Sequence, residues 1–270
     1  MIRLLFALCL MAGGLFGAHA AGAAESWFTP HRGFYQMSLA AAESSSGIIG
    51  ATGETYFEWV ELCDGWNVNQ HTELNFATSQ DTSDRIDLTF SGFEAKDGSL
   101  MRFQSSQITN GGMTENIAGE ANMPAAAGGG AGAVTYSAPG KFSLSLPEGT
   151  LFPSEYSRRM MLRMRTGESG YAAIMFDGSS TDGPYEVSSI FSAPRMHERP
   201  GAAPSSAKKE KVWPVRMAYF PLRGGDVEPD FEVGALINAE GVAHRYDIDY
   251  GNFAVRAVLV RYEEIPFPDC

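Results

Sequence analysis

The residues of this sequence that could do chemistry occur in small, scattered groups. Asp247 and Asp249 would point the same way on a strand, where they could act as a carboxylate pair or bind a hard cation. A solvent-facing row of acids is the simpler interpretation. The segment 177–183 (DGSSTDG) also offers oxygen ligands, but it lacks the residue order and the closing glutamate of an EF-hand loop. A tight connection between two strands is the simpler explanation for this segment.

Motifs for a nucleophile or a metal ion are weaker still. Ser205 and Lys208 match S-x-x-K, but they fall in a charged loop, and no G-x-S-x-G elbow is present. The histidines beyond residue 24 have no metal-ligand spacing, and we expect His244, on an apolar strand face, to be buried and hydrogen-bonded. Two glutamates stand beside two tryptophans and could line a saccharide groove: Glu58, Glu61, Trp59 and Trp66. We expect no catalytic residue, no metal site and no cofactor, and a protein that is not an enzyme.

The first 24 residues read as a secretory signal. Arg3 precedes an uncharged apolar run, 4–18, and small residues suited to cleavage follow at 18–23. The run is shorter than the roughly 20 residues of a spanning helix, so we expect an exported, periplasmic protein that does not span the membrane after cleavage. The chain has 270 residues and a net charge of −12, which argues against binding nucleic acid.

Cleavage would remove Cys9 and leave Cys63 and Cys270 as the cysteines of the mature chain. Two cysteines in an oxidising compartment pair more often than not, so a disulfide is the favoured interpretation. Two free thiols are the alternative. A redox pair is disfavoured because there is no C-x-x-C spacing.

Alternation of apolar and polar residues predicts strands along most of the chain. It is clear at Ile86, Leu88 and Phe90, and again over 141–146 and 242–250, with turn residues between the runs. The run 254–260 is apolar on both faces apart from Arg256, which predicts a strand covered on both sides. We expect a mainly β fold: one domain over 25–270, built as a long antiparallel meander that curls into an open-barrel cup. Two segments, 125–132 and 194–211, read as loops.

One helix is predicted from Pro153 to a stop at Gly167, and each of its faces has two interpretations. The apolar face is either a methionine-lined lid over a ligand cavity or a plug for the open side of the sheet; it carries Tyr156, Met160, Met161 and Met164. The basic face is either a patch that contacts a partner or a solvated surface; it carries Arg158, Arg159, Arg163 and Arg165.

Several motifs together resemble the EipB-type cell-envelope integrity proteins of alphaproteobacteria, long known as a domain of unknown function. They run along nearly the whole chain beyond the signal: ELCDGW at 61–66, FEAKDG at 93–98, LPEGTLFP at 146–153, FDG at 176–178 and DIDYGNF at 247–253, with Cys270 at the end. The resemblance implies a periplasmic β-spiral similar to lipoprotein carriers, a Cys63–Cys270 disulfide and a role in envelope maintenance. It also implies no established enzymatic activity, and periplasmic partners that contain TPR repeats.

Two functional hypotheses follow. In the first, the concave sheet and the helix hold an apolar ligand such as a lipid, an acyl chain or a peptide. In the second, the protein is a rigid scaffold that docks a periplasmic TPR-repeat or other envelope protein through its outer surface.

Overall fold

The computed structural model describes residues 28–124, 129–199, 209–223 and 227–270. The predicted signal segment 1–24 lies outside these ranges. So do residues 125–128 of the alanine- and glycine-rich loop and residues 200–208 of the charged segment, which include Ser205 and Lys208. The loop prediction for 194–211 was wrong at both ends of the segment, because residues 195–198 pair with residues 209–212 as antiparallel strands.

The described chain forms fifteen strands and one α-helix, with a short 3₁₀ turn at Ser44–Ser46. The first eight strands are β1 (His31–Ala42), β2 (Ile48–Glu61), β3 (Gly65–Thr78), β4 (Ser83–Ala95), β5 (Leu100–Thr109), β6 (Gly112–Asn122), β7 (Gly132–Ala138) and β8 (Phe142–Leu146). Helix α1 (Pro153–Thr166) follows. The remaining strands are β9 (Gly170–Met175), β10 (Tyr185–Phe191), β11 (Arg195–Glu198), β12 (Lys209–Pro221), β13 (Phe231–Asn238), β14 (Ala243–Asp249) and β15 (Phe253–Glu264).

All of these strands belong to one antiparallel sheet, which confirms the mainly β fold. Its order is β8-β7-β6-β5-β4-β3-β2-β1-β15-β14-β13-β12-β10-β9, with β11 also paired to β12. The first and last strands therefore meet in the middle of the sheet, whereas β8 and β9 form its two ends. The sheet curls without closing, and α1 connects the two end strands in the chain.

Alternation along the strands separates an inner apolar face from an outer polar face. In β4, Ile86, Leu88 and Phe90 are all buried, as the sequence predicts. The inner face forms two apolar clusters: one beneath β1–β8 and β15, the other between α1 and strands β9, β10, β12 and β13. Tyr246, Ile248 and Tyr250 of the β14 segment pack against both clusters, so the interior of the spiral is continuous.

Two details of the last strands differ from the sequence-based expectation. Over 254–260 only Val255, Ala257 and Leu259 are buried, so β15 is covered on one side and not on both. The prediction was wrong because small and aliphatic residues also lie on the outer face, where Arg256 is half-exposed. In β14, a bulge at His244 interrupts the alternation: Ile237 pairs with Ala243 and Leu236 with Arg245.

Helix α1 begins and ends where the sequence indicates. Pro153 occupies the first helical position, after the extended Phe152. Gly167 adopts a left-handed conformation (φ 86°), and its N–H together with that of Glu168 bonds the last carbonyls of the helix. Within the described residues, no helix has the length and apolar character needed to cross a bilayer.

The sheet order brings the two distant cysteines together. His31 at the start of β1 pairs with Glu264 on one side and Trp59 on the other, so the chain end returns beside the β2–β3 turn. Cys63 lies in that turn and forms a disulfide with Cys270, with the two Cα atoms 5.7 Å apart. The structure thus contains the bond that the family resemblance implies.

Candidate functional site

The apolar face of α1 is packed into the spiral. Its four inward side chains, Tyr156, Met160, Met161 and Met164, are at most 2% exposed. The Tyr156 hydroxyl donates to the Val187 carbonyl at 3.1 Å and lies 2.7 Å from the Ser189 hydroxyl, which fixes the helix to β10. A side chain that lines an open cavity keeps exposed surface, and these have almost none. In this conformation the face acts as a plug.

The connection between β9 and β10 fills the other half of the interior. Phe176 packs on Phe103 of β5, and the four residues that follow are all buried. Asp177 accepts bonds from the backbone N–H and the hydroxyl of Ser179, and Tyr136 of β7 donates to the Ser180 carbonyl at 2.9 Å. Burial raises the pKa of Asp177. Segment 177–183 is therefore a connection between strands, as the simpler interpretation has it, and it is folded inward.

A buried carboxylate links α1 to the first half of the sheet. Glu94 on the inner face of β4 is 3% exposed, and its Oε2 accepts the Ser154 backbone N–H at 2.8 Å. That N–H is one of the unpaired donors at the start of the helix, which favours a negative charge there. Burial nevertheless outweighs this bond and raises the pKa of Glu94 to about 7.

The four arginines on the outer face of α1 are largely paired locally. Arg158 and Arg159 both bond Glu155, and Arg163 bonds Glu168 at 2.7 Å. Arg165 donates to the Ala239 carbonyl. The basic face is present as predicted, but neighbouring carboxylates offset much of its charge.

His244 is buried and hydrogen-bonded, as expected. Its Nε2 lies 2.5 Å from Glu210 and its Nδ1 lies 3.2 Å from Nδ1 of His197. Arg199 donates two bonds to the same Glu210 carboxylate and stacks over Tyr262. Burial lowers the pKa of His244, although Glu210 opposes the shift. The cluster joins the β11–β12 hairpin to the β14 bulge.

The proposed saccharide groove does not form. Trp59 and Trp66 are buried in the core, whereas Glu58, which is next to Trp59 in β2, lies on the opposite face. Glu58 accepts bonds from Arg32, Tyr56 and Asn69, which outweigh partial burial and lower its pKa. Glu61 is the cross-strand partner of Trp66 and forms an ion pair with Lys96, which lies over the Trp66 ring. Neighbouring residues of a strand face opposite ways, which separates Glu58 from the Trp59 ring. The burial of both tryptophans removes the aromatic wall that a groove would need.

The outer face of β12–β15 contains an open groove of about 820 Å³. Its centre is one cross-strand row, Arg216–Gly234–Asp247–Arg256, in which the glycine leaves a gap. Charged side chains surround this gap: Arg195, Arg216, Glu232, Arg245, Asp247, Asp249 and Arg256. Sequence reasoning missed the groove because register across four strands decides which residues border Gly234.

Asp247 is held between two guanidinium groups in this groove. Its carboxylate lies 2.5 Å from Nε of Arg256 and 2.8 Å from Nε of Arg245. Asp249 accepts the Gly251 N–H. These contacts fit a row of acids at the surface. Both carboxylates are already engaged with protein donors, so neither is positioned as a cation ligand.

Comparison with known proteins agrees with this architecture. The EipB-like family model matches residues 22–266. The cell envelope integrity protein EipB of Brucella abortus (strain 2308) is 27% identical over 266 residues, which cover 95% of this chain and 91% of EipB. A crystal structure from Brucella abortus, described as a β-barrel-like protein of a domain of unknown function, superposes with a TM-score of 0.80 at 24% identity and covers 88% of this chain and 99% of that one. With a family model that spans nearly the whole sequence, the chain belongs to the EipB-like family.

Proposed function

We propose that this protein supports the integrity of the cell envelope as a non-enzymatic periplasmic scaffold, and that it docks an envelope protein in the groove of β12–β15. The curated relative supports the envelope role, since it is named for envelope integrity. The predicted signal at 1–24 supports export.

The observation that carries the docking proposal is the contrast between the two faces of the sheet. Inside, the inner face of α1 and residues 176–180 are packed with almost no exposed surface. Outside, an open groove with a volume of about 820 Å³ lies on four hydrogen-bonded strands. A rigid concavity lined by both charge signs fits a protein segment whose charges complement it. A periplasmic TPR-repeat protein, the class of partner that the family resemblance implies, is the partner to test first.

A steric variant tests the groove without altering charge. A Cβ at Gly234 would meet Asp247 Cβ at an ordinary 3.6 Å, so Gly234→Leu should fold and fill the gap. Gly112→Leu on β6 is the matched control, because its Cβ would also find its nearest neighbour at 3.6 Å, far along the sheet.

Binding to a purified TPR-repeat protein from the same organism is measured by titration calorimetry. We expect Gly234→Leu to weaken binding at least tenfold and Gly112→Leu to leave it unchanged. A third variant, Arg158→Glu with Arg163→Glu, reverses charge on the helix. Loss of binding in this variant alone would assign docking to α1 and refute the groove.

A second candidate function is the holding of an apolar ligand. The specific observation in its favour is the methionine-rich inner face of α1, because unbranched thioether side chains repack around varied apolar shapes. This function requires α1 to move, because the inner face of the helix is packed against the sheet and leaves almost no exposed surface for a ligand. Stoichiometric lipid in purified protein, found by mass spectrometry after extraction, would support it, and lipid-free protein would count against it.

A further inference from the structure

We propose that His71, Glu73 and Asp87 form a surface binding site for a divalent transition-metal ion of the Zn²⁺ class. The three residues lie on the outer face of β3 and β4, and their ligand atoms all lie within 4.8 Å of one another. Sequence spacing does not reveal the group, because 14 positions separate Glu73 from Asp87. The proposal is independent of the docking function.

Strand geometry places the three side chains together. His71 and Glu73 are two residues apart on β3, so both point outward. Asp87 on β4 is the direct cross-strand partner of Glu73, and Thr89 is the partner of His71. The two strands pair along their whole length, and the buried Leu74, Ile86 and Leu88 anchor the opposite face. The ligand group therefore stands on a rigid base.

The local charges favour a cation. Glu54 on β2 pairs with Glu73, which pairs with Asp87, so three carboxylates face outward in one row across three strands. Like charges directly opposite one another on a sheet are destabilising. Arg85 reaches Glu73 at 2.6 Å, and the His71 ring lies 3.2 Å from Asp87. One guanidinium faces three acids, so a dication would find net negative charge.

The donor set selects the class of metal. One imidazole and two carboxylates match the ligands of open zinc sites, which bind through His nitrogen and Asp or Glu oxygen and leave a position for water. Hard cations such as Ca²⁺ prefer six or more oxygen ligands, which this group does not supply. The side chains are half-exposed, so an ion can enter from solvent and small rotamer changes can bring the donors inward.

Zinc titration of the metal-stripped, tag-free mature chain tests the site. By calorimetry, we expect one saturable Zn²⁺ event in the wild-type protein. His71→Ala and Asp87→Asn should each weaken it at least tenfold. Glu120→Gln is the matched control: Glu120 is an outward strand carboxylate paired with Arg102, and its loss should leave zinc affinity unchanged.

A fourth variant separates a metal site from a merely acidic surface. Arg85 competes with a bound cation for Glu73, so Arg85→Gln should tighten zinc binding several-fold. The proposal is overturned if the wild-type protein shows no saturable zinc event. It is also overturned if His71→Ala binds zinc as well as wild type, or if Ca²⁺ binds equally well and survives that substitution.

Discussion

Replacement of Glu94 by glutamine should stabilise the protein above neutral pH. Glu94 is the buried carboxyl on β4 that accepts the Ser154 N–H at the start of α1. Two effects act on its charge: burial disfavours the anion, and the helix N-terminus favours it. Burial is the larger effect, so the folded protein holds the Glu94 proton up to a pKa of about 7, against an ordinary value of 4.5.

The sign of the pH dependence follows from this raised pKa. Between pH 4.5 and 7 the folded state retains a proton that the unfolded chain has released. The free energy of unfolding therefore falls as pH rises through this window, and the difference between the two pKa values corresponds to about 3 kcal/mol. Glutamine cannot ionise, and its carbonyl oxygen can accept the same Ser154 N–H. Glu94→Gln should match wild type near pH 5 and exceed it at pH 8.

Thermal melts of both proteins at pH 5, 6, 7 and 8 measure this difference. A gain of about 3 kcal/mol in a chain of this size corresponds to a rise in Tm of roughly 6–12 °C at pH 8. Glu120→Gln removes an exposed carboxylate whose pKa is lowered by Arg102. Above pH 6 the Tm of this variant should therefore change with pH in the same way as the Tm of wild type. If the Tm of Glu94→Gln also changes with pH as wild type does, or is lower than wild type at pH 8, the carboxylate stabilises the helix as an anion and the reasoning fails.

Two further predictions concern the disulfide and the packing of α1. Cys63→Ser should lower the free energy of unfolding by up to roughly 5 kcal/mol, because the bond closes a loop of 207 residues; equal Tm values for wild type with and without reductant would contradict this. Met160→Ala should cost about 2–5 kcal/mol in chemical denaturation, since its side chain is fully packed. The exposed Leu162 on the same helix is the matched control, and an equally small loss for both variants would show that α1 is loosely held.

Local features of this fold can be predicted from sequence because they depend on nearby residues. The helix bounds follow from Pro153 and Gly167, and the strands follow from alternation such as that of β4. The same alternation, continued past Phe90, places Glu94 on the inner face. That carboxylate could therefore have been found from the pattern, as an acid in phase with buried residues.

Features that depend on register or on distant contacts could not be predicted. The bulge at His244 interrupts the expected alternation, and the hydrogen-bond partner of His244, Glu210, lies 34 positions away. The groove exists because Gly234 falls in register with Arg216 and Asp247. A shift of one residue in any of these pairings would bring other side chains to the gap, and sequence alone does not set the pairing.

The topology also explains why α1 is the place to look for conformational change. The first and last strands, β1 and β15, pair in mid-sheet, and the disulfide ties the segment after β15 to the β2–β3 turn, so that region resists opening. The free ends of the sheet, β8 and β9, are instead connected through α1. The hydrogen bond from Ser154 to Glu94 ties the helix to one half of the sheet, and the bonds from Tyr156 tie it to the other. A partner in the β12–β15 groove would contact strands on the outside and leave both ties intact. A ligand inside the spiral would have to break them. Gly234→Leu fills the groove and leaves both ties intact, so it should weaken partner binding and leave the binding of an internal ligand unchanged.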